Sequence, residues 1–195
     1  MKYLKSLIFV CGALLTHYAA AADQSAQAYY EAQGQAVSCK KDVPTLPQGA
    51  CAVGYFGTTQ SDGKIDIKAQ NNDPKTAIFY RVWLSKSSDT QGVFQDFHLS
   101  GAKRTDPFVA QLGDAIMTNG NLIAVGNNAQ IIGPLVVWRE NQSKAMTINF
   151  GKNGVQGKLT RWYPNGQMQM SDEYNASVNN GTSERWYENG KPQSK

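Results

Sequence analysis

The sequence is short of the residues on which most catalytic and metal sites depend. It contains two histidines and three cysteines in 195 residues, and His17 and Cys11 lie close to the N-terminus. A Ser-His-Asp or Cys-His arrangement in the rest of the chain would have to use His98. Cys39, Cys51 and His98 have none of the usual close spacings of zinc ligands. The sequence therefore predicts no enzyme, no metal site and no cofactor, although a spatial pair of carboxylates, as in glycoside hydrolases, stays open.

The sequence also has neither a large net charge nor a long hydrophobic run. The net charge is only +4, so we expect no nucleic-acid partner. The apolar stretch 7–15 is shorter than the about 20 residues that a spanning helix needs. It follows Lys2 and Lys5 and precedes an alanine triplet at 20–22. This order is typical of a secretory signal peptide over residues 1–22, with an uncleaved anchor as the alternative, and it predicts a bacterial periplasmic or secreted protein.

Two cysteines follow the signal peptide, and we expect them to pair. Cys39 and Cys51 are close in sequence, and nearby cysteines in an oxidising compartment usually form a disulfide. A redox-active pair would usually have the tighter Cys-x-x-Cys spacing. The segment 23–53 is thus interpreted as an N-terminal unit in which a stretch rich in alanine and glutamine, 24–36, forms a short helix or a flexible segment before a disulfide loop.

A short phrase then recurs at a fixed interval. Gly157 begins Gly-Lys-Leu-Thr-Arg-Trp-Tyr-Pro-Asn-Gly, and 24 residues later Gly181 begins Gly-Thr-Ser-Glu-Arg-Trp-Tyr-Glu-Asn-Gly. Gly133 begins a decayed copy with a tryptophan in register. A fixed period of this size indicates a repeat architecture. Residues 54–195 are therefore interpreted as one repeat domain, whose best-formed copies lie in 133–195.

Fainter copies extend the pattern towards the N-terminus. Gly92 and Gly101 have the nine-residue spacing of the later copies, with Phe97 and His98 in place of the Trp-Tyr pair. The stretch 54–63 has the same glycine spacing without the aromatic pair.

Turn-forming pairs separate the strand-like segments. Asn-Gly flanked by such segments is the strongest short-range hairpin signal, because a type I′ turn needs positive φ at both central positions. Pairs of this kind occur at 119–120, 153–154, 165–166, 180–181 and 189–190. The sequence therefore predicts a mainly β fold: stacked antiparallel β-hairpin repeats that form an elongated twisted sheet, after the short helical or flexible N-terminal segment.

Because side chains alternate between the two faces of a strand, the repeat places one aromatic row on each face. Large aromatic side chains dominate core energetics, so we expect the row without arginines to form the core. This row consists of Phe97, Trp138, Trp162 and Trp186.

The other row combines arginines with tyrosines and is expected to be exposed, because charged residues are rarely buried unpaired. Tyrosine and arginine are enriched at interface hot spots, so this row is the candidate binding surface. A solvated sheet face without a partner is the plain alternative. The row consists of Arg161, Tyr163, Arg185 and Tyr187.

The repeated phrase Gly-x-x-x-Arg-Trp-Tyr-x-Asn-Gly resembles the bacterial MORN-variant repeat, as found in the YwqK family of antitoxins. The resemblance covers 157–195 well and 92–156 in degraded form, and it does not extend to 23–53. It implies stacked β-hairpins in an open, twisted sheet. It also implies a binding role without catalytic residues, although a signal peptide departs from a cytoplasmic antitoxin.

Together these patterns predict a non-enzymatic periplasmic protein whose repeat surface recognises another protein, with an immunity or antitoxin-like role as its specific form. The alternative is a structural module of the cell envelope that associates with glycan or with a membrane surface. MORN repeats elsewhere are associated with membranes, but that link is an analogy of fold alone.

Overall fold

The structure is a computed structural model, and it is built from β-strands and turns. Every strand neighbour described below runs antiparallel. The predicted N-terminal helix at 24–36 and the predicted disulfide partner Cys39 lie outside the described residues. The residues that the structure describes are 42–71, 73–88, 90–111, 117–118, 121–122 and 131–194.

Fourteen strands are defined within these residues. In chain order they are β1 (Cys51–Thr59), β2 (Ile65–Asn71), β3 (Phe79–Ser88), β4 (Gln91–His98), β5 (Phe108–Gln111), β6 (Met117–Thr118), β7 (Asn121–Leu122), β8 (Ile131–Trp138), β9 (Lys144–Gly151), β10 (Gly154–Val155), β11 (Gly157–Trp162), β12 (Met168–Asn175), β13 (Val178–Trp186) and β14 (Pro192–Ser194).

Twelve of these strands form one open sheet. Its order is β14-β13-β12-β11-β9-β8-β5-β4-β3-β1-β2, with β10 paired to β9, while β6 and β7 form a separate two-stranded ribbon. Consecutive strands are neighbours almost throughout, as expected for hairpins joined by short turns. The predicted mainly β fold of stacked antiparallel hairpins is confirmed.

Five turns within the described residues share one geometry. In the turn after β11, the Tyr163 N–H donates to the Gln167 carbonyl oxygen at 2.8 Å, and the Gly166 N–H donates to the Tyr163 carbonyl oxygen at 3.0 Å. The fourth residue, Gly166, has a φ of 86°. The same two hydrogen bonds and the same positive φ recur in the turns at 60–64, 98–102, 139–143, 163–167 and 187–191.

This turn differs from the predicted type I′ turn. Asn165 lacks a positive φ and only Gly166 has one, so the loop is a three-residue turn that ends in a left-handed residue. The Asn165 Oδ1 accepts a hydrogen bond from the Gln167 N–H at 2.9 Å. Asparagine is therefore favoured here by its side-chain oxygen, which caps the turn. Asn141, Asn189 and Asp62 make the corresponding bond in their own turns.

One predicted turn is wrong. Asn180 and Gly181 lie inside β13, where a Cβ on Gly181 would come within 2.9 Å of the Glu173 Cβ. The chain reverses earlier, at Ala176 and Ser177, whose φ values are 49° and 66°. Neither residue is a glycine, so the preferences of residue types for positive φ do not predict this turn.

Buried residues form two clusters on the sheet. One contains Tyr80 and Phe97, and the segment before β1 packs on it through partly buried Val43 and Leu46. The Tyr80 hydroxyl donates to the Thr45 carbonyl oxygen at 3.1 Å and accepts from the Thr45 N–H at 2.9 Å, which fixes this segment. The larger cluster runs from the N-terminal to the C-terminal hairpins and contains Cys51, Trp83, Phe94, Phe108, Ala110, Ile131, Leu135, Ile148, Phe150 and Leu159.

We predict that Gly166→Ala lowers the free energy of unfolding by about 1 kcal/mol, because a Cβ disfavours the left-handed conformation. A Cβ there would have no atom within 4 Å, so the loss comes from the backbone alone. Chemical denaturation measures it. The control Gln167→Ala alters an exposed neighbour in the same turn and should stay within about 0.5 kcal/mol of the unmodified chain. Equal losses in both variants would contradict the assigned geometry.

Candidate functional site

The tryptophan of each repeat phrase lies directly before a hairpin turn. Trp138, Trp162 and Trp186 are the last residues of their strands. All three are half-buried, whereas Phe97 is buried. Within this row, Phe97 is therefore part of the buried core, whereas the three tryptophans are only partly covered. A register shift beside each tryptophan, and its place at the hairpin end, hold it at the margin of the core.

A ladder of side-chain hydrogen bonds joins each hairpin to the next. The first residue of a turn reaches across to the main-chain carbonyl oxygen of the tryptophan in the following hairpin. A histidine, an arginine and a tyrosine all make this contact. The bonds of this hairpin ladder are His98 Nε2 with Trp138 O at 3.0 Å, Arg139 Nη2 with Trp162 O, and Tyr163 Oη with Trp186 O at 3.0 Å.

Tyr187 occupies the same turn position in the last described hairpin. Its side chain is exposed by 51 %, and its hydroxyl makes no hydrogen bond within the described part of the chain. The hydroxyl of its counterpart Tyr163 is held by the ladder. Tyr163 and Tyr187 thus occupy equivalent positions in the repeat, but the hydroxyl of Tyr163 is hydrogen-bonded within the protein, whereas the side chain of Tyr187 is exposed.

Lysines stack against the tryptophans along the same edge. The Lys103 Nζ lies 4.0 Å from the centre of the Trp138 ring, and the Lys144 Nζ lies 5.5 Å from Trp138 and 5.3 Å from Trp162. Asp106 fixes the arrangement by accepting from both Trp138 Nε1 and Lys103 Nζ at 2.9 Å. Cation–π contacts of this kind are favourable at partly exposed sites. We call these four aromatic and basic residues the indole–lysine stripe.

We call the predicted binding surface, which consists of Arg161, Tyr163, Arg185 and Tyr187, the Arg–Tyr surface. The structure divides it into exposed and half-buried residues. Arg161 and Tyr187 are exposed. Tyr163 and Arg185 are half-buried, and each is held by other groups of the protein. Arg161 shares a strand face with the buried Leu159, so this surface continues the core face beyond its apolar part.

Arg185 is held by a carboxylate that sequence reasoning missed. Asp172 is 2 % exposed, and its two oxygens accept hydrogen bonds from Arg185 at 2.5 and 3.0 Å and from the Ser183 hydroxyl at 2.8 Å. Ser183 lies directly opposite Asp172 in the β12–β13 register. That register depends on the turn at Ala176 and Ser177, so the sequence signal for this site would have required that turn to be recognised.

The hydrogen bond from Arg185 holds the pKa of the Asp172 carboxyl below its usual range, and Ser183 acts in the same direction. Burial opposes this shift. Asp172 in turn raises the pKa of the Arg185 guanidinium. The pair is therefore an ionised structural element rather than a proton-transfer pair at neutral pH.

Other predicted features can be placed only in part. Cys51 is fully buried, and since Cys39 lies outside the described residues, their disulfide stays a prediction. Within the described residues, no cluster of three or more histidine, cysteine, aspartate or glutamate side chains could hold a metal ion. Nor do those residues contain a helix with the length and hydrophobicity for crossing a membrane.

Comparison with known proteins yields no match among family models, curated proteins or solved structures. The resemblance of the repeated phrase to the MORN-variant repeat therefore stays a prediction. The repeat itself has a structural counterpart, because the same turn recurs at the end of five hairpins.

We predict that Tyr163→Phe lowers the free energy of unfolding by about 1 kcal/mol, because it removes the ladder bond to the Trp186 carbonyl oxygen. Tyr187→Phe is the matched control, since it deletes the same atom from the equivalent position. Its effect should stay within about 0.5 kcal/mol. Urea denaturation of both variants measures the difference, and equal effects would show that the ladder bond contributes nothing.

We predict that Arg185→Ala destabilises the fold by about 1–3 kcal/mol at neutral pH, because the buried Asp172 carboxylate loses both hydrogen bonds from Arg185 and keeps the one from Ser183. A lowered folded-state pKa contributes stability above the unfolded pKa of about 3.9, and this contribution is lost as pH falls through the folded value. The difference between the variant and the unmodified chain should therefore shrink below about pH 4.

Thermal unfolding between pH 7 and pH 3 tests this dependence. Lys191→Ala, which removes an exposed cation from the neighbouring turn, serves as the control and should show little destabilisation at any pH. A difference between Arg185→Ala and the unmodified chain that stays constant with pH would contradict the assigned ion pair.

Proposed function

We propose that this chain is a non-enzymatic binding protein of the bacterial envelope, and that its C-terminal hairpins recognise another protein. The observation that carries the proposal is the contrast in burial along the sheet. Strand β4 alternates between buried and half-buried positions. Strand β13 is exposed or half-buried along its whole length. Some positions that are buried in the core of the N-terminal hairpins are therefore accessible in the hairpins from β11 onward, where they are available for contact with a partner.

The side chains available there are suited to protein recognition. Tyr187 and Arg161 are accessible, and beside them Tyr163 and Arg185 are held by hydrogen bonds within the protein. Tyrosine and arginine are enriched at interface hot spots. Side chains that are already fixed lose less conformational entropy when a partner binds. The Arg–Tyr surface thus combines accessible groups with preorganised ones.

The specific form that we favour is an immunity or antitoxin-like role. It rests on the resemblance of the repeated phrase to the MORN-variant repeat of the YwqK-like antitoxins and on the interpretation of 1–22 as a signal peptide. The protein would then act in the periplasm or after secretion and neutralise a toxin by covering one of its surfaces.

A second candidate is favoured by the indole–lysine stripe. Half-buried indole rings flanked by lysines provide flat aromatic faces, and such faces also contact sugar rings. This surface would suit association with cell-wall glycan or with the membrane surface. It shares no residue with the Arg–Tyr surface, so separate variants can test the two surfaces.

Affinity capture from an envelope fraction tests the proposal. The baits are the unmodified protein, an Arg161→Ala/Tyr187→Ala variant, and an Asp62→Ala/Lys64→Ala control. The first variant removes accessible groups of the Arg–Tyr surface and leaves the ladder and the Asp172 ion pair intact. The control removes an exposed ion pair in a different turn.

We expect one stoichiometric protein, retained by the control and reduced at least tenfold, or about 1.4 kcal/mol, in the Arg161/Tyr187 variant. The purified partner should form a one-to-one complex. Equal capture by all three baits, or no saturable protein partner, would contradict the proposal. Recovery of the bait with sacculi or vesicles, lost on Trp162→Ala, would instead support the second candidate.

A further inference from the structure

A cleft lies on the core face between strands that are far apart in the sheet order. Its wall includes Ile67 of β2, Phe79 of β3 and Ile148 of β9. In the sheet order β2 and β9 are separated by six strand-to-strand steps, which would place them about 29 Å apart in a flat sheet. Since they line one cleft, the sheet curls back on itself and encloses the space.

Two arginines and one aspartate line this cleft. Arg81 and Asp96 face each other across β3 and β4. The Arg81 Nε and Nη2 donate to the Asp96 carboxylate at 2.6 and 2.9 Å. Arg104 donates to the same carboxylate from 3.4 Å. The cluster therefore contains two cations and one anion, with the anion committed mainly to Arg81.

The surplus cation sits in apolar surroundings. The side chain of Arg104 is 16 % exposed, and its guanidinium lies 4.1 Å from the centre of the Phe79 ring. Burial lowers the pKa of Arg104, and Arg81 acts in the same direction, while Asp96 opposes both. A guanidinium nevertheless stays protonated in proteins. A mostly buried cation that shares its counter-ion has its charge incompletely compensated.

Apart from Thr105, the rest of the wall is hydrophobic. It includes Leu135 and Val137 of β8 and Met146 and Phe150 of β9. The cavity volume is about 110 Å³. This is less than the about 150 Å³ of a dry cavity that accepts benzene, so the cleft would cover only part of a ring of that size. The space thus suits one compact apolar group next to an anionic one.

We propose that this cleft is a binding site for a small carboxylic acid with a compact apolar group. The carboxylate pairs with Arg104, whose charge Asp96 compensates only in part. The apolar group lies against the β8 and β9 side chains. Such a carboxylate occurs in free small acids and at the C-terminus of a peptide, and the two sources can be distinguished with separate probes.

Isothermal titration of the protein with benzoate, benzamide and N-acetylleucine tests the site. Benzamide is the neutral analogue of benzoate with nearly the same shape. We expect saturable one-to-one binding of at least one of the two acids. Tighter binding of benzoate would indicate a free small acid as the ligand, and tighter binding of N-acetylleucine would indicate the C-terminus of a peptide. Benzamide should bind at least tenfold more weakly than benzoate if benzoate binds. Benzoate and benzamide of equal affinity, or no binding of either acid at millimolar concentration, would overturn the proposal.

Two variants locate the site on the protein. Arg104→Gln should weaken binding of the preferred acid at least tenfold, because it removes the surplus charge and retains hydrogen-bonding groups. Lys158→Gln, which neutralises an exposed cation outside the cleft wall, should leave the affinity unchanged. If Arg104→Gln does not fold, the comparison of benzoate with benzamide on the unmodified protein still decides. Equal losses in both variants would overturn the assignment to this cleft.

Discussion

The hairpin turn with a left-handed fourth residue is the constraint on which the other features depend. It fixes the strand register of the hairpins that it closes, and because side chains alternate, a slip of one residue would exchange the two faces of the strand. Correct register places Leu159 in the core and keeps Arg161 on the same face beyond it. The turn is local, but its effect reaches every side-chain contact across the hairpin.

The repeat period and the turn signals were sufficient to predict the hairpin architecture, because both are local properties of the sequence. The turn type was wrong, since the asparagine acts through its side chain and not through a positive φ. The turn at Ala176 and Ser177 escaped prediction because neither residue has a strong preference for positive φ. For the same reason the Asp172–Arg185 pair could not be foreseen, because it joins two successive copies of the repeat across that turn.

The site residues show a further limit of sequence reasoning. Alternation predicts which side chains share a face, but not how far the core extends along it. Phe97 is buried beneath the segment before β1, while Trp186, its counterpart in the repeat, lies where burial declines. The cluster of Arg81, Asp96 and Arg104 depends on the β3–β4 register and on the hydrogen bond from the Arg104 N–H to the Asp96 carbonyl oxygen, and no local pattern in the sequence specifies that pairing.

The hairpin ladder has a consequence for how such a sheet can change in length. Its acceptor is a main-chain carbonyl, which every residue carries, so the donor can be a histidine, an arginine or a tyrosine without loss of the bond. The copies can therefore diverge in sequence while the junction between them stays interchangeable. Tyr187 already presents a hydroxyl donor on the side where a further hairpin would follow in the ladder. An inserted hairpin with the same turn would meet a prepared junction, which makes the sheet a modular scaffold that can be extended by one unit without redesign of its neighbours.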